Sequence, residues 1–254
     1  MSLISRVRSL DQPEARTQCE TRASDAMLAF FYTCIFVCAA WLPFVWYQRE
    51  IHGVVNVTHC ALTLFNAVNL LICLWENALF IHRKKVRRVY LEFKKRVGDR
   101  NFPSPLCLFE HITVAQALSY EYWSVIWSTY SLLDPSYSDQ KSFGFWIDSG
   151  NGVVTVLPTL ALSWFATYDE LPCGLGPLSP KFIGAVGMVF NWQMLYGTLL
   201  YFGNYLLNRY YAKTSRSYVA VVCVANGIWI CFPAWWMLTC WGMIETNSFA
   251  ALRT

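Results

Sequence analysis

The sequence predicts an all-α integral membrane protein, a bundle of about six transmembrane helices, on three observations. Hydrophobic residues make up 56% of the chain and Asp, Glu, Lys and Arg only 14%, a balance far from that of a soluble domain. Six apolar runs each reach the roughly 20 residues needed to cross a bilayer core. Nine of the twenty Lys and Arg fall between His82 and Arg100, outside all six runs.

The six runs are Ala26–Tyr47, Gly53–Trp75, Ile112–Leu133, Ser142–Tyr168, Phe182–Asn208 and Ser217–Ile244. Residues 1–25 are polar, mixed in charge and contain Pro13, and read as a cytoplasmic tail. The first run starts too late and is too long for a cleavable signal, so it is expected to remain as an anchor. Residues 26–104 then hold two spans and a basic loop, which the positive-inside rule places in the cytoplasm. With six spans both termini are cytoplasmic, and the 134–141 loop and the Asn56-Val57-Thr58 sequon face the lumen or exterior. Arg209, Lys213 and Arg216 then fall on the side away from the basic loop. Residues 246–254 form a short C-terminal tail. Pro158 and Pro233 are expected to kink the fourth and sixth helices by removing a backbone donor.

Chemistry is sought where polar groups interrupt apolar helices. A carboxylate at the bilayer centre costs about 2.5–3.5 kcal/mol on insertion scales, so such acids face a cavity, a partner or a substrate. Asp148 is the one charged residue of the fourth run, and on a helix it shares a face with Asn151 and Thr155. Glu121 lies about nine residues into the third run, at hydrocarbon depth if that helix begins near Ile112. Glu76, in LLICLWENALF, is either a further membrane acid or an interfacial carboxylate paired with Arg83 or Lys84; the pairing is the preferred reading. The fifth run adds Gln193, Tyr196, Tyr201 and Asn204, with Gly197 and Gly203 permitting close approach. In the sixth, Asn226, Trp229 and Pro233 share a face. Each set also suits plain helix packing, since amides and small residues bind membrane helices together. His52 and His59 flank one end of the second run and need no chemical role.

The ten cysteines lack C-x-x-C spacing and read as small packing residues. No metal-binding histidine motif, phosphate-cradling glycine loop or nucleophile elbow occurs, so no metal or cofactor is expected. Nucleic acid is not an expected partner, because the net charge of +4 resides mainly in one juxtamembrane loop. The bilayer is, and self-association as a homo-oligomer is left open.

Three stretches, DPSYSDQKSFGFWIDSGN, YGTLLYF and NGIWICFP, in this order and spacing, resemble the EXPERA-domain proteins, which include the emopamil-binding sterol isomerases and the sigma-2 receptor group. The resemblance runs over about Phe109–Ile244 and implies a four-helix EXPERA-like domain over residues 105–245, in the endoplasmic reticulum. It implies an isomerase that protonates a sterol or terpenoid alkene, forms a carbocation and removes a proton elsewhere. Asp148 falls on the acid of the second EXPERA helix, Asn151 on a nearby hydroxyl position, Asn226 and Trp229 on an Asn and a Trp of the last helix, and Glu121 on the acid of the first. Ala117 stands where the isomerases carry histidine. Asp148, Glu121, Trp229 and Asn226 are thus the implied catalytic set, with Asn151, Tyr196, Tyr201 and Trp146 contacting substrate. Fungal integral-membrane terpene cyclases offer a second likeness through the pair Trp75-Glu76, which would make Glu76 an additional acid. The sigma-2 branch implies a third reading, a lipid binder without turnover. A small transporter is the remaining alternative.

Overall fold

The computed structural model describes residues 27–97, 107–168, 170, 176–177, 179–213 and 216–253. Helices dominate: α1 (Ala29–His52), α2 (Val57–Ile81), α3 (Arg83–Val97), α4 (Val114–Ala117), α5 (Tyr120–Tyr130), α6 (Phe143–Val154), α7 (Val156–Thr167), α8 (Pro180–Leu207), α9 (Arg216–Thr246) and α10 (Ala250–Arg253). A two-residue strand β1 (Met27–Leu28) pairs antiparallel with β2 (His111–Ile112). Among the described residues, four helices are long and apolar enough to cross a membrane: α1, α2, α8 and the Tyr218–Thr246 part of α9. This is a multi-pass membrane protein.

The second apolar run becomes the central helix. Asn56 caps α2 by accepting a hydrogen bond from the His59 N–H at 2.8 Å. Neighbours on several sides bury it, whereas α1 leaves Phe31, Ile35, Leu42 and Trp46 exposed, as a lipid-facing helix does. The fourth run breaks into α6 and α7 at Thr155, three residues before Pro158, whose missing N–H interrupts the ladder. By contrast, α9 continues through Pro233.

Together α6 and α7 follow α2 antiparallel along a buried polar seam. His59 Nε2 lies 2.9 Å from Thr167 Oγ1, Asn66 Nδ2 donates to Ser163 Oγ at 2.9 Å, and Asn69 Nδ2 donates to Thr159 Oγ1 at 2.9 Å. Cys73 Sγ is 3.0 Å from Thr155 Oγ1, and Asn77 Nδ2 donates to the Gly152 carbonyl at 2.7 Å. Between apolar helices with no hydrophobic force to draw them together, such bonds set register. A slip by one residue would unpair all five.

The third apolar run does not form one long helix. It starts as β2, passes through the single turn α4, and restarts at α5, where Ser119 accepts from the Tyr122 N–H. Asp134 and Pro135 then stop it, the Asp134 carboxylate accepting from the Ser136 N–H at 2.9 Å. At eleven residues, α5 is about 16 Å long, half the hydrocarbon thickness. It runs antiparallel to the junction of α2 and α3: Glu121 sits 2.7 Å from Lys85, while six residues later Trp127 Nε1 donates to the Trp75 carbonyl at 2.6 Å. The turn Pro135–Ser138 comes back against α3. The 134–141 loop therefore shares the end of the bundle that carries the basic helix.

The same end holds Arg209 and Arg216, which flank the turn between α8 and α9; Tyr205 packs there with Leu79 and Val86. The opposite end is closed by α10, where Gln48 Nε2 donates to the Leu252 carbonyl and Leu252 is fully buried. Helices α8 and α9 form the most extensive pair. Gly184 and Gly187 allow it, since a Cβ at either would come within 2.7 Å of the Cys240 carbonyl or 2.5 Å of its sulfur. Gly197 meets Ile147 on α6, but Gly203 has open space around it.

Candidate functional site

One face of α6 brings Asp148 to the seam. Gly152, one turn on, lies so close to α2 that a Cβ there would be 2.7 Å from the Glu76 Cβ. The missing side chain lets α6 settle on α2, and Asp148 comes to face the same cavity as Glu76. Both line a cavity of about 180 Å³ whose walls come from α2, α5, α6, α8 and α9. Glu76 is 6% exposed, whereas Asp148 keeps part of its surface open. Tyr137, in the turn that follows α5, brings its hydroxyl near the Asp148 carboxyl.

Around the acids the wall is aromatic and apolar. Trp75, Trp127, Tyr130, Tyr201 and Trp229 contribute rings, and Ile72, Ile126 and Ile147 contribute alkyl groups. The ring centroids of Trp127 and Tyr137 are 4.9 Å apart, and those of Tyr130 and Tyr137 5.2 Å. Polar groups fix the rings: Trp229 Nε1 donates to Asn69 Oδ1 at 3.0 Å, and Asn226 Nδ2 donates to the Tyr130 hydroxyl at 3.0 Å. Asn151 accepts from Gln193 Nε2 at 2.8 Å, which joins α6 to α8. Ala225 lines the cavity and is also exposed, so on the α9 side the cavity reaches the outer surface of the bundle.

Of the residues singled out in the sequence, Asp148, Asn151, Tyr201, Asn226, Trp229 and Glu76 converge on this cavity. Three stand outside it. The Glu121 side chain is 58% exposed and ion-paired with Lys85, because Ser119 starts α5 only two residues earlier and leaves Glu121 in its first turn. Trp146 is 57% exposed and donates to the Gln140 carbonyl at 2.9 Å. Tyr196 is half-exposed and stacks on Trp192. Glu76, expected to pair with Arg83 or Lys84, instead faces inward; Arg83 bonds the Phe80 carbonyl. Sequence reasoning missed Trp127, Tyr130 and Tyr137, whose shared position depends on the return of the chain after α5.

The arrangement can bind an apolar molecule against two carboxyl groups and a set of ring faces. Among the described residues no three His, Cys, Asp or Glu side chains converge to hold a metal ion. No family model, no curated protein and no solved structure matches the chain.

Proposed function

We propose that this protein is an intramembrane acid–base catalyst that rearranges a sterol or terpenoid through a carbocation, with Glu76 and Asp148 as the reacting pair. The observation that carries this reading is the meeting of two carboxyl groups in one aromatic-walled cavity. Two carboxyls sharing a dry site hold one proton between them more easily than none. The protonated member gives its proton to an alkene carbon or an epoxide oxygen, whose electron pair forms the new bond to hydrogen. The ionised member takes a proton from carbon beside the cation, and that C–H pair becomes the new double bond. Atoms and charge balance without a cofactor. The pair ends with the proton on the other member, and passing it back resets the site.

The rings have a part in this scheme. A cation within about 6 Å of an indole face gains about 2 kcal/mol when water is excluded, and Trp229 is oriented by Asn69 to offer such a face. Cyclisation is favoured over simple double-bond isomerisation by one feature: Glu76, of the Trp75-Glu76 pair, partners Asp148, whereas Glu121, the acid implied by the isomerase resemblance, lies apart. A sterol binder without turnover would use the same cavity. Purified protein in heavy water, offered a panel of sterols and polyprenoid epoxides, separates the two: deuterium appears in a rearranged product of the catalyst, and none appears with a binder.

For orientation we propose that the basic end faces the cytoplasm, as the positive-inside rule favours. Arg209 and Arg216 then join the basic helix on one side. With α6 and α7 acting together as one crossing, the chain passes five times, and α10 lies on the side opposite β1. An endoplasmic reticulum location follows from the EXPERA resemblance.

A further inference from the structure

At the junction of α2 and α3 a groove of about 460 Å³ is lined by Ile81, His82, Arg83, Lys84, Lys85 and Arg88. Its depth in the membrane follows from the helix before it. The 25 residues of α2 span about 37 Å, enough to cross the roughly 30 Å hydrocarbon core and reach the headgroup layer. The groove therefore begins where lipid phosphates lie. Phe80 and Ile81, 37% and 52% exposed, flank it on the hydrocarbon side, and Leu91 is exposed farther along α3.

The cations of the groove are unevenly committed. Lys85 is held by Glu121 at 2.7 Å. Arg83 is fixed by its bond to the Phe80 carbonyl at 2.9 Å, with its guanidinium 5.1 Å from the Phe80 ring centroid. Lys84 and Arg88 are exposed and make no ion pair among the described residues. Meanwhile Val86, Tyr90 and Phe93 bury the other face of α3, so the basic face is presented from a fixed helix.

We propose that this groove binds the phosphate headgroup of an anionic phospholipid, with Lys84 and Arg88 as its free charges, Arg83 as a positioned donor and Phe80 and Ile81 against the acyl chains. A phosphate at this depth meets cations above and apolar side chains below, which a soluble anion does not need. The site is independent of whatever the cavity does.

The test uses the purified protein in nanodiscs of phosphatidylcholine, titrated with short-chain phosphatidate, short-chain phosphatidylcholine or inorganic phosphate, and bound lipid is counted by native mass spectrometry. Phosphatidate is expected to bind, and the neutral lipid and free phosphate are not. Lys84→Gln with Arg88→Gln weakens binding about fivefold for each charge removed. Lys95→Gln with Arg96→Gln, an equal loss of exposed charge at the far end of α3, leaves it unchanged and controls for folding. Equal weakening by both pairs would reduce the groove to diffuse surface charge and overturn the proposal. So would equal binding of the neutral lipid, or full competition by inorganic phosphate.

Discussion

Gly152 and Glu76 are in such close contact that a single methyl group at 152 would stand 2.7 Å from the Glu76 Cβ, with the Asn77 nitrogen and the Cys73 carbonyl oxygen each 3.1 Å away. The contact sets the distance between α2 and α6, and thereby the distance between the two carboxyl groups. Nothing near it is a flexible side-chain tip that can swing aside.

Gly152→Ala is therefore expected to cost about 1–3 kcal/mol of stability, the usual cost of overpacking, and to reduce turnover by more than that loss of fold accounts for. Gly203→Ala, with open space around it, serves as the control. Thermal melting in detergent and deuterium incorporation, measured on the same samples, separate the two effects.

Asp148→Asn removes one member of the acid pair while keeping its shape. Loss of a positioned proton donor or acceptor costs about 10²–10⁴-fold in rate, so product formation should fall by at least two orders of magnitude while lipid still co-purifies. Retention of activity within a few-fold would remove Asp148 from the chemistry.

Asn69 bonds both Thr159 on α7 and the Trp229 indole. Membrane helix hydrogen bonds average about 0.6 kcal/mol, so Asn69→Leu should lower the melting temperature only slightly. Its effect on turnover should be larger, because Trp229 loses its fixed orientation. The difference in indole fluorescence between proteins with Trp229 and with Trp229→Phe, taken with and without Asn69→Leu, checks whether the ring has moved.

Orientation has its own test. A glycosylation acceptor appended after Thr254 should be modified in microsomes, and one placed before Met27 should not. Modification of neither, or of the N-terminal tag alone, would restore the arrangement with both termini cytoplasmic or invert the chain.

Much of the site could be read from isolated residues. Asp148, Asn151, Asn226 and Trp229 stand out as polar or amphipathic groups at helical spacing inside apolar runs, and that pattern survives folding. What hydropathy cannot see is a helix that stops halfway. It treats residues 112–133 as one run, whereas the Ser119 cap and the Asp134-Pro135 stop cut it to eleven residues. Glu121 then moves to the basic end, and the loop after α5 returns to that end as well. The misplacement of Glu76 has a related origin: the cationic run that starts seven residues later offers local partners, but Glu76 is buried toward the cavity while Arg83 bonds the Phe80 carbonyl and Lys84 is exposed. Tyr137 is invisible for the same reason, since its nearness to Asp148 depends on where the chain turns back.

The most direct test of the central claim compares Glu76→Gln with Glu121→Gln in heavy water, using whichever lipid the wild-type protein labels. Glu76→Gln should abolish deuterium incorporation at unchanged protein yield. Glu121→Gln removes a partly exposed ion pair with Lys85, worth about 0–1 kcal/mol, at a position outside the cavity, and should label product at close to the wild-type rate. The reverse result, an inactive Glu121→Gln and an active Glu76→Gln, would contradict the pairing of Glu76 with Asp148 as the reacting acids.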